Sequence, residues 1–385
     1  MKCLIPNIGS TSFKYRVLEM PGEHVLGAGR IERIGQPSGE FPDYVSAIRK
    51  CIDDVVGAGK ALSSLSEIDA VGFKVVHPGA MPGPRLVDEE LFAALEEFSF
   101  FAPAHNPPYV AAMRAFQAEM PGVPLVAVFE TTPYASLDEA ATTYAVPYEW
   151  RTKFGIRRYG FHGASHRSAG ERVQALLLGP DLRHISCHLG GSSSVAAFRD
   201  GIAIDTSFGT SPQSGLPQSN RAGDIDAFAV LYMMKTLGVD ADEMARILGS
   251  RSGLAGISGG SGDIRDLDLA AAAGDKRARL ALDVFVRAIR HYVGAFMLEL
   301  GGVDVISFSG GIGENSAEIR NAVCRNLAAF GVQLDEDLNR SAPTDGAISR
   351  EGSRVKVLII PADEEIIVAR EMVGVVERAR VCQST

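Results

Sequence analysis

Val303-Asp304-Val305-Ile306-Ser307-Phe308 is a short, mostly apolar, β-branched run, and it leads directly into Ser309-Gly310-Gly311-Ile312-Gly313-Glu314-Asn315. Helical periodicity follows from Ala317 to Phe330. Strand, glycine turn and helix in that order restrict the chain to α/β arrangements in which bare backbone can approach a ligand at a strand end. The design recurs. Cys3-Leu4-Ile5 precedes Asn7-Ile8-Gly9-Ser10-Thr11-Ser12 and an alternating run from Phe13 to Leu18. Ile185 to Leu189 precedes Gly190-Gly191-Ser192-Ser193-Ser194, then Val195 to Phe198, a turn at Arg199-Asp200-Gly201 and a strand over Ile202 to Asp205. Two hairpins with Gly/Ser tips, half a chain apart, suggest a duplicated domain plan. A last strand, Val355 to Ile360, ends at Pro361-Ala362-Asp363-Glu364-Glu365, whose acids suit the first turn of a closing helix. Helical spacing also fits 43–58, 89–98, 108–118, 164–178, 224–237 and 276–300, so strands and helices alternate throughout.

Composition narrows the function. Of 385 residues 41 are Gly, above the usual share of roughly 7%, and they bunch in loops, including Gly253 to Gly262. The length predicts two to three domains with cores large enough to need no metal or disulfide staple. A net charge of −9 disfavours a nucleic-acid partner. Five scattered Cys without a CxxC pair, no signal-peptide pattern and no apolar run near ~18 residues point to a cytoplasmic protein with no membrane partner. No GxxxxGK[ST], GxGxxG or HExxH is present, and the GxSxG at Gly256 to Gly260 lacks the preceding strand of a nucleophile elbow.

What remains is a set of isolated polar residues beside Gly or Pro: Asn7, Lys14, Lys74, His105, Glu130, His162, His188, Arg221 and Glu364. Each has a plain structural reading. His77 and His188 can be packed core histidines, Arg157-Arg158 a solvated face, and Lys14 an exposed strand position.

Taken together they resemble a known family. Asn7-x-Gly9-Ser10-x-Ser12-x-Lys14, Ala102-Pro103-Ala104-His105-Asn106-Pro107 and Arg157-Arg158-Tyr159-Gly160-Phe161-His162-Gly163-Ala164-Ser165-His166 are similar to acetate kinase motifs. So are Asp205-Thr206-Ser207 through Arg221-Ala222-Gly223-Asp224, Phe308 to Ser316, and Ile360 to Glu365. The matches are colinear over nearly the whole chain.

The resemblance implies an α/β fold of two similar ribonuclease H-like (actin-like ATPase) domains with an active-site cleft between them. Residues 1–130 with a returning helix at 363–385 would form the first domain, and 131–362 the nucleotide-binding and dimerisation domain. It implies ATP, Mg²⁺, reversible in-line phosphoryl transfer between ATP and a short-chain carboxylate giving an acyl phosphate, and a homodimer. Asn7, Ser10, Ser12 and Lys14 would meet the nucleotide and the transferring group. His188, Gly190, Gly191, Ser192, Asp263, Arg265, Gly310, Gly311, Ile312, Gly313 and Asn315 would complete the nucleotide site. His162 and Arg221 would stabilise phosphoryl charge, with His105 in support. Lys74, Val76, Ala104, Phe161, Pro212 and Arg221 would meet the acid. Glu364, with Asn7, would hold Mg²⁺.

Four departures from the family pattern matter. Lys74 stands where the family has an active-site Arg, exchanging a bidentate fork for a point charge. Glu130 replaces the catalytic Asp, so both charges persist with altered reach. Gly191-Ser192 replaces an Asn-Gly in the phosphate tip. Ala104 replaces a bulky Leu of the acid pocket, and the loop from Thr210 to Asn220 carries Gln213 and Gln218 where the family is more apolar. These changes predict an acid larger or more polar than acetate, such as propionate, butyrate or lactate. The competing expectations are that both glutamines simply face solvent, and that the exchanges at 74 and 130 mark a catalytically silent binding homologue.

Overall fold

The computed structural model describes residues 1–9, 12–36 and 39–383. Ser10 lies outside them. Contacts divide the chain into two units, 1–135 with 363–385, and 136–362.

The first unit is built on a six-stranded sheet of β1 (Lys2–Ile8), β2 (Ser12–Glu19), β3 (His24–Glu32), β4 (Ala70–Val75), β5 (Arg85–Leu86) and β6 (Leu125–Phe129), in the order β3-β2-β1-β4-β6-β5. β1, β2 and β3 form an antiparallel meander, β1, β4 and β6 run parallel, and β5 is antiparallel to β6. Alternation along β1 decides the layers. Leu4 and Ile8 pack with Ala47, Ile48 and Cys51 of the Tyr44–Val55 helix and with Tyr109 and Phe116 of the Asn106–Glu119 helix. Cys3 and Ile5 point the other way, onto Val368, Ala369 and Met372 of the Glu364–Gln383 helix. That last helix sits so close that a Cβ on Gly72 would lie 2.9 Å from Met372 Sδ.

The second unit repeats the plan. Its strands β7 (Arg183–Leu189), β8 (Ser193–Arg199), β9 (Ile202–Thr206), β10 (Val305–Ser309), β11 (Gly346–Ala347) and β12 (Lys356–Ile359) lie in the order β11-β12-β10-β7-β8-β9. Reversed, this is the first sheet strand for strand, with the same parallel and antiparallel pairs. The duplication suggested by two hairpins thus extends to six strands. Ala281, Phe285, Ile289 and Val293 of the Lys276–Glu299 helix cover one face, and Ala169 and Val173 of the Gly163–Leu177 helix pack on Val305, Leu358 and Ile360.

Three expectations change. The helix read from Ala317 to Phe330 stops at Cys324, because Arg290 Nη1 takes the carbonyls of Val323 and Arg325, both at 2.6 Å. The glycine turn after β10 is itself a helix, Gly310–Asn315. Within the third glycine cluster, Gly253–Ser258 is helical rather than loop. β4 and β6 had no alternating pattern to find, being buried on both faces. All five cysteines are free thiols, and no helix among the described residues is long and apolar enough to cross a membrane.

An apolar helix is left uncovered within the unit. Ala227–Leu237 has no buried residue despite the sequence AFAVLYMMKTL, and Phe228 is 81% exposed.

The second core also holds a histidine. His184 Nε2 meets Ser307 Oγ at 2.7 Å, and burial pushes its titration down to about 3 from the ordinary 6.5. Between those values the unfolded chain binds a proton that the folded chain does not, so stability falls as pH drops from 6.5 towards 3, by at most about 5 kcal/mol. His184→Gln should therefore move the acid-unfolding midpoint, followed by circular dichroism, to lower pH. An unchanged midpoint would exclude this source of acid lability.

Candidate active site

In the first unit the chemistry gathers at the carboxyl ends of β1, β4 and β6. Lys74, one residue from the end of β4, bonds the Glu364 carboxylate and lies 4.0 Å from Glu130 Oε1. Glu130 follows β6 directly and is 2% exposed, its N–H donating to Val75 O at 2.9 Å. Burial disfavours the Lys74 ammonium, but the Glu364 and Glu130 carboxylates outweigh it and hold its titration above the ordinary range. Tyr109 stands nearby, accepting from Ile8 N at 3.3 Å, and burial pushes its phenol up to about 12.

Asn7 and Lys14 face each other across the β1–β2 ladder, with Ser12 opening β2 and Lys14 exposed. Asn7 Nδ2 donates to Glu365 Oε1 at 3.4 Å, while Arg16 pairs with Asp363 at 2.8 Å and reaches Glu365 at 3.9 Å. Arg16, Asp363 and Glu365 were not anticipated. The run of acids after Pro361 was the available signal. His105 is the N-cap of the Asn106–Glu119 helix, with exposed Ala104 before it, and Val76 is buried. His77 is a fully buried packing residue, its ring tilted against Phe98 at 4.8 Å.

Among the described residues no three acids, histidines or cysteines are arranged to cage a metal ion. Glu364 and Asn7 nevertheless offer the hard oxygen donors that suit Mg²⁺, which is commonly held by one or two carboxylates with phosphate oxygens and water completing its shell.

In the second unit β7 carries His188 into the tip Gly190-Gly191-Ser192. The Gly310–Asn315 helix starts alongside, where a Cβ on Gly190 would lie 4.0 Å from Gly311 N. Gly310 has φ +76°, and a Cβ there would be 2.6 Å from Leu189 O, so only glycine fits. Gly311 opens to free space, Gly313 is buried, Ile312 packs on the core, and Asn315 Nδ2 donates to Gly311 O at 2.8 Å. Ser309 Oγ is buried without a hydrogen-bond partner among the described residues. Bare backbone with an orphaned hydroxyl suits a nucleotide.

Arg221 is brought to the same tip. Its Nη1 donates to Gln218 Oε1 at 3.2 Å, to Pro212 O at 3.4 Å and to Ser192 Oγ at 3.5 Å, and burial lowers its titration. Gln218 is fully buried and also donates Nε2 to Pro212 O at 2.8 Å, and Gln213 Oε1 is buried without a partner among the described residues. The expectation that both glutamines face solvent is thereby corrected: the loop folds inward and Gln218 braces Arg221. Asp263 and Arg265 pair with each other at 2.6 Å, which pulls the Asp263 carboxyl down to about 2. Their segment reaches the tip through Ser219, whose N–H donates to Gly191 O at 3.2 Å and whose carbonyl would be 2.1 Å from a Cβ on Gly262.

His162 caps the Gly163–Leu177 helix with φ +57°, a strained left-handed geometry of the kind kept at functional sites. Its ring lies tilted 4.2 Å from that of His188 and edge-on 5.2 Å from Phe208, which packs against Phe161. Its Nδ1 lies 2.8 Å from Ser194 Oγ, and Ser165 Oγ lies 2.6 Å from His188 Nδ1. Ser194 and its further partner His166 were not singled out. The four-residue step from His162 to His166, one face of a helix, was the signal. Arg157 and Arg158, read as a solvated face, are partly buried against Tyr159 and Tyr144.

Lys74→Met leaves two carboxylates without their cation and should cost about 3 kcal/mol in chemical denaturation, whereas Lys74→Arg should hold stability near the parent. A Met variant as stable as the parent would show that the cluster does not need its charge.

The acetokinase family model matches residues 2–370. An acetate kinase of Geobacillus sp. (strain WCH70) is 43% identical, the match covering 97% of this chain and 98% of that protein. Among solved structures, Porphyromonas gingivalis acetate kinase superposes with a TM-score of 0.87 at 34% identity, covering 97% of this chain and 99% of the other. A propionate kinase from Francisella tularensis superposes with a TM-score of 0.88 at 31% identity, covering 96% and 98%.

Proposed function

The chain belongs to the acetokinase family, and on that premise we propose the reaction and the part each residue takes in it. It is a phosphotransferase with a carboxyl group as acceptor, working with ATP and Mg²⁺. In the forward direction a carboxylate oxygen bonds to the γ-phosphorus, the bond from that phosphorus to the ADP oxygen breaks, and an acyl phosphate results. The reverse makes ATP. The observation that carries this reading is Arg221, braced by Gln218 and Pro212 beside the Gly190 to Ser192 tip. A fixed guanidinium next to bare backbone is what a transferring phosphoryl group requires, since its loose transition state takes mainly positioning and positive charge from a protein.

In this reading Arg221 and His162 meet equatorial phosphoryl oxygens, and Lys74 and Arg221 orient the acid, with His105 in support. Glu130 holds Lys74 in its charged form. Asn7, Ser10, Ser12, Lys14, His188 and the two glycine tips, with Asp263 and Arg265, bind the nucleotide. Glu364 and Asn7 hold Mg²⁺, which supplies charge neutralisation at the phosphate oxygens. Free thiols throughout fit a reducing cytoplasm.

The acid is a short-chain carboxylate larger than acetate, propionate or butyrate before lactate. Support comes from Ala104, exposed beside His105, where the family pattern has Leu. Each methylene accommodated in such a pocket is worth roughly 1–3 kcal/mol of discrimination. Hydroxylamine trapping of acyl phosphate across a panel of acids should rank propionate or butyrate above acetate in kcat/KM, and Ala104→Leu should shift the ratio towards acetate by about tenfold. Acetate preferred by the parent over every other acid would refute the size assignment. Any acyl phosphate formed excludes a silent homologue.

We also propose a homodimer formed through the Ala227–Leu237 helix. Phe228, Leu231, Tyr232 and Leu237 are all more than half exposed, and an apolar helix with no buried residue needs a cover. Leu231→Arg should convert a dimer to a monomer in sedimentation velocity, and a parent that sediments as a monomer would dismiss the proposal.

A further inference from the structure

Behind His162 runs a chain of hydrogen bonds that ends in the core. Ser186 Oγ on β7 lies 2.8 Å from His166 Nδ1, His166 Nε2 lies 2.8 Å from Ser194 Oγ on β8, and Ser194 Oγ lies 2.8 Å from His162 Nδ1. Ser186, His166 and Ser194 are fully buried. Each member has few hydrogens to give, so the direction of the chain can be worked out.

His166 is neutral, since burial and, after it, the neighbouring His188 and His184 push its titration well below the ordinary 6.5. A neutral imidazole donates at one nitrogen and accepts at the other. Suppose Nδ1 carried the hydrogen. Ser186 would then accept it, and its own hydroxyl hydrogen, fully buried, would have no acceptor among the described residues. Leaving a buried donor unmade is costly. The opposite direction satisfies every group. Ser186 O–H donates to His166 Nδ1, His166 Nε2–H donates to Ser194 Oγ, and the Ser194 hydroxyl must then donate to His162 Nδ1.

We infer that Ser194 locks His162 as the tautomer with bare Nδ1 and protonated Nε2, so that this histidine presents a neutral hydrogen-bond donor and not a base. To take a second proton at Nδ1, His162 would have to turn the Ser194 hydroxyl around and break the chain back to Ser186. Titratable groups facing His162 include His188, with its ring tilted at 4.2 Å and held through Ser165, and His166, at 6.4 Å between ring centroids; Phe208 lies edge-on at another side without charge. The left-handed backbone at His162 fixes where the ring starts. Ser186, His166 and Ser194 are positioning residues that act through His162. Their consequence for phosphoryl transfer rests on the function proposed above, but the tautomer does not.

The test is a long-range proton–nitrogen correlation spectrum of the full chain, ring-labelled with ¹⁵N at histidine, near pH 7, with the His162 signals identified by their loss in His162→Gln. The expected pattern at His162 is an unprotonated Nδ1 with a protonated Nε2. A protonated Nδ1, alone or in an imidazolium, overturns the inference. Ser194→Ala should move the His162 ring signals away from that pure pattern and lower kcat about tenfold or more, with KM for ATP within about twofold. Ser186→Ala, which does not touch His162, should disturb the same signals by releasing the direction of the chain. Unchanged His162 signals in both variants also overturn it, and the parent spectrum decides the tautomer even if Ser194→Ala does not fold. An inactive parent showing the expected tautomer would count against the proposed function and leave the lock standing.

Discussion

Parallel pairing of β7 with β10 is the constraint on which the second unit's chemistry depends. The register sets His188 opposite Ser309, so the tip after β7 and the helix after β10 begin side by side. Parallel strands present their carboxyl ends together, and loops leaving those ends are where α/β sheets place ligands. The same pairing of β1 with β4, and of β4 with β6, collects Asn7, Lys74 and Glu130 in the first unit. Once the sheets form, the site residues have little freedom left. Their strands end together because the hydrogen-bond ladders do.

The charge arrangement follows a related rule. The chain carries −9 overall, yet Lys74 and Arg221 are held largely out of water. Lys74 is kept charged by the carboxylates of Glu364 and Glu130. Arg221 donates to neutral oxygens of Gln218, Pro212 and Ser192, and burial lowers its titration accordingly. A cation solvated by dipoles rather than by a carboxylate keeps its charge available for an anionic ligand. Lys74 and Arg221 therefore differ in kind: one is matched within the protein, and the other is positioned and left electrostatically open. The serine and histidine chain behind His162 follows a third pattern, in which neutral groups fix a proton's place instead of supplying charge.

Much of this was legible along the chain. The Gly/Ser tips, the apolar strands before them and the helix opened by Glu364 and Glu365 are local patterns, set by conformational freedom, alternation and capping within a few residues. Lys74 and Glu130 were legible as departures because their neighbours match a family motif. Other features were hidden for physical reasons. β4 and β6 are buried on both faces and show no alternation. The end of the Ala317–Cys324 helix depends on Arg290, which is distant in the sequence. Gln218 reads as a polar loop residue until Pro212 and Arg221 are seen folded against it.

The sequence alone determined an α/β chain with a repeated hairpin plan, the residues able to carry phosphoryl chemistry, and the family to which their spacing conforms. These are properties of neighbours, and neighbours fix propensity, periodicity and motif. Only the tertiary structure decided that all six strands repeat, that Glu364 returns 290 residues later to bond Lys74, and that Ser194 stands between His162 and His166. Hydrogen bonds and buried ion pairs act over about 3 Å, so they depend on where the chain comes back to itself, which no local pattern encodes.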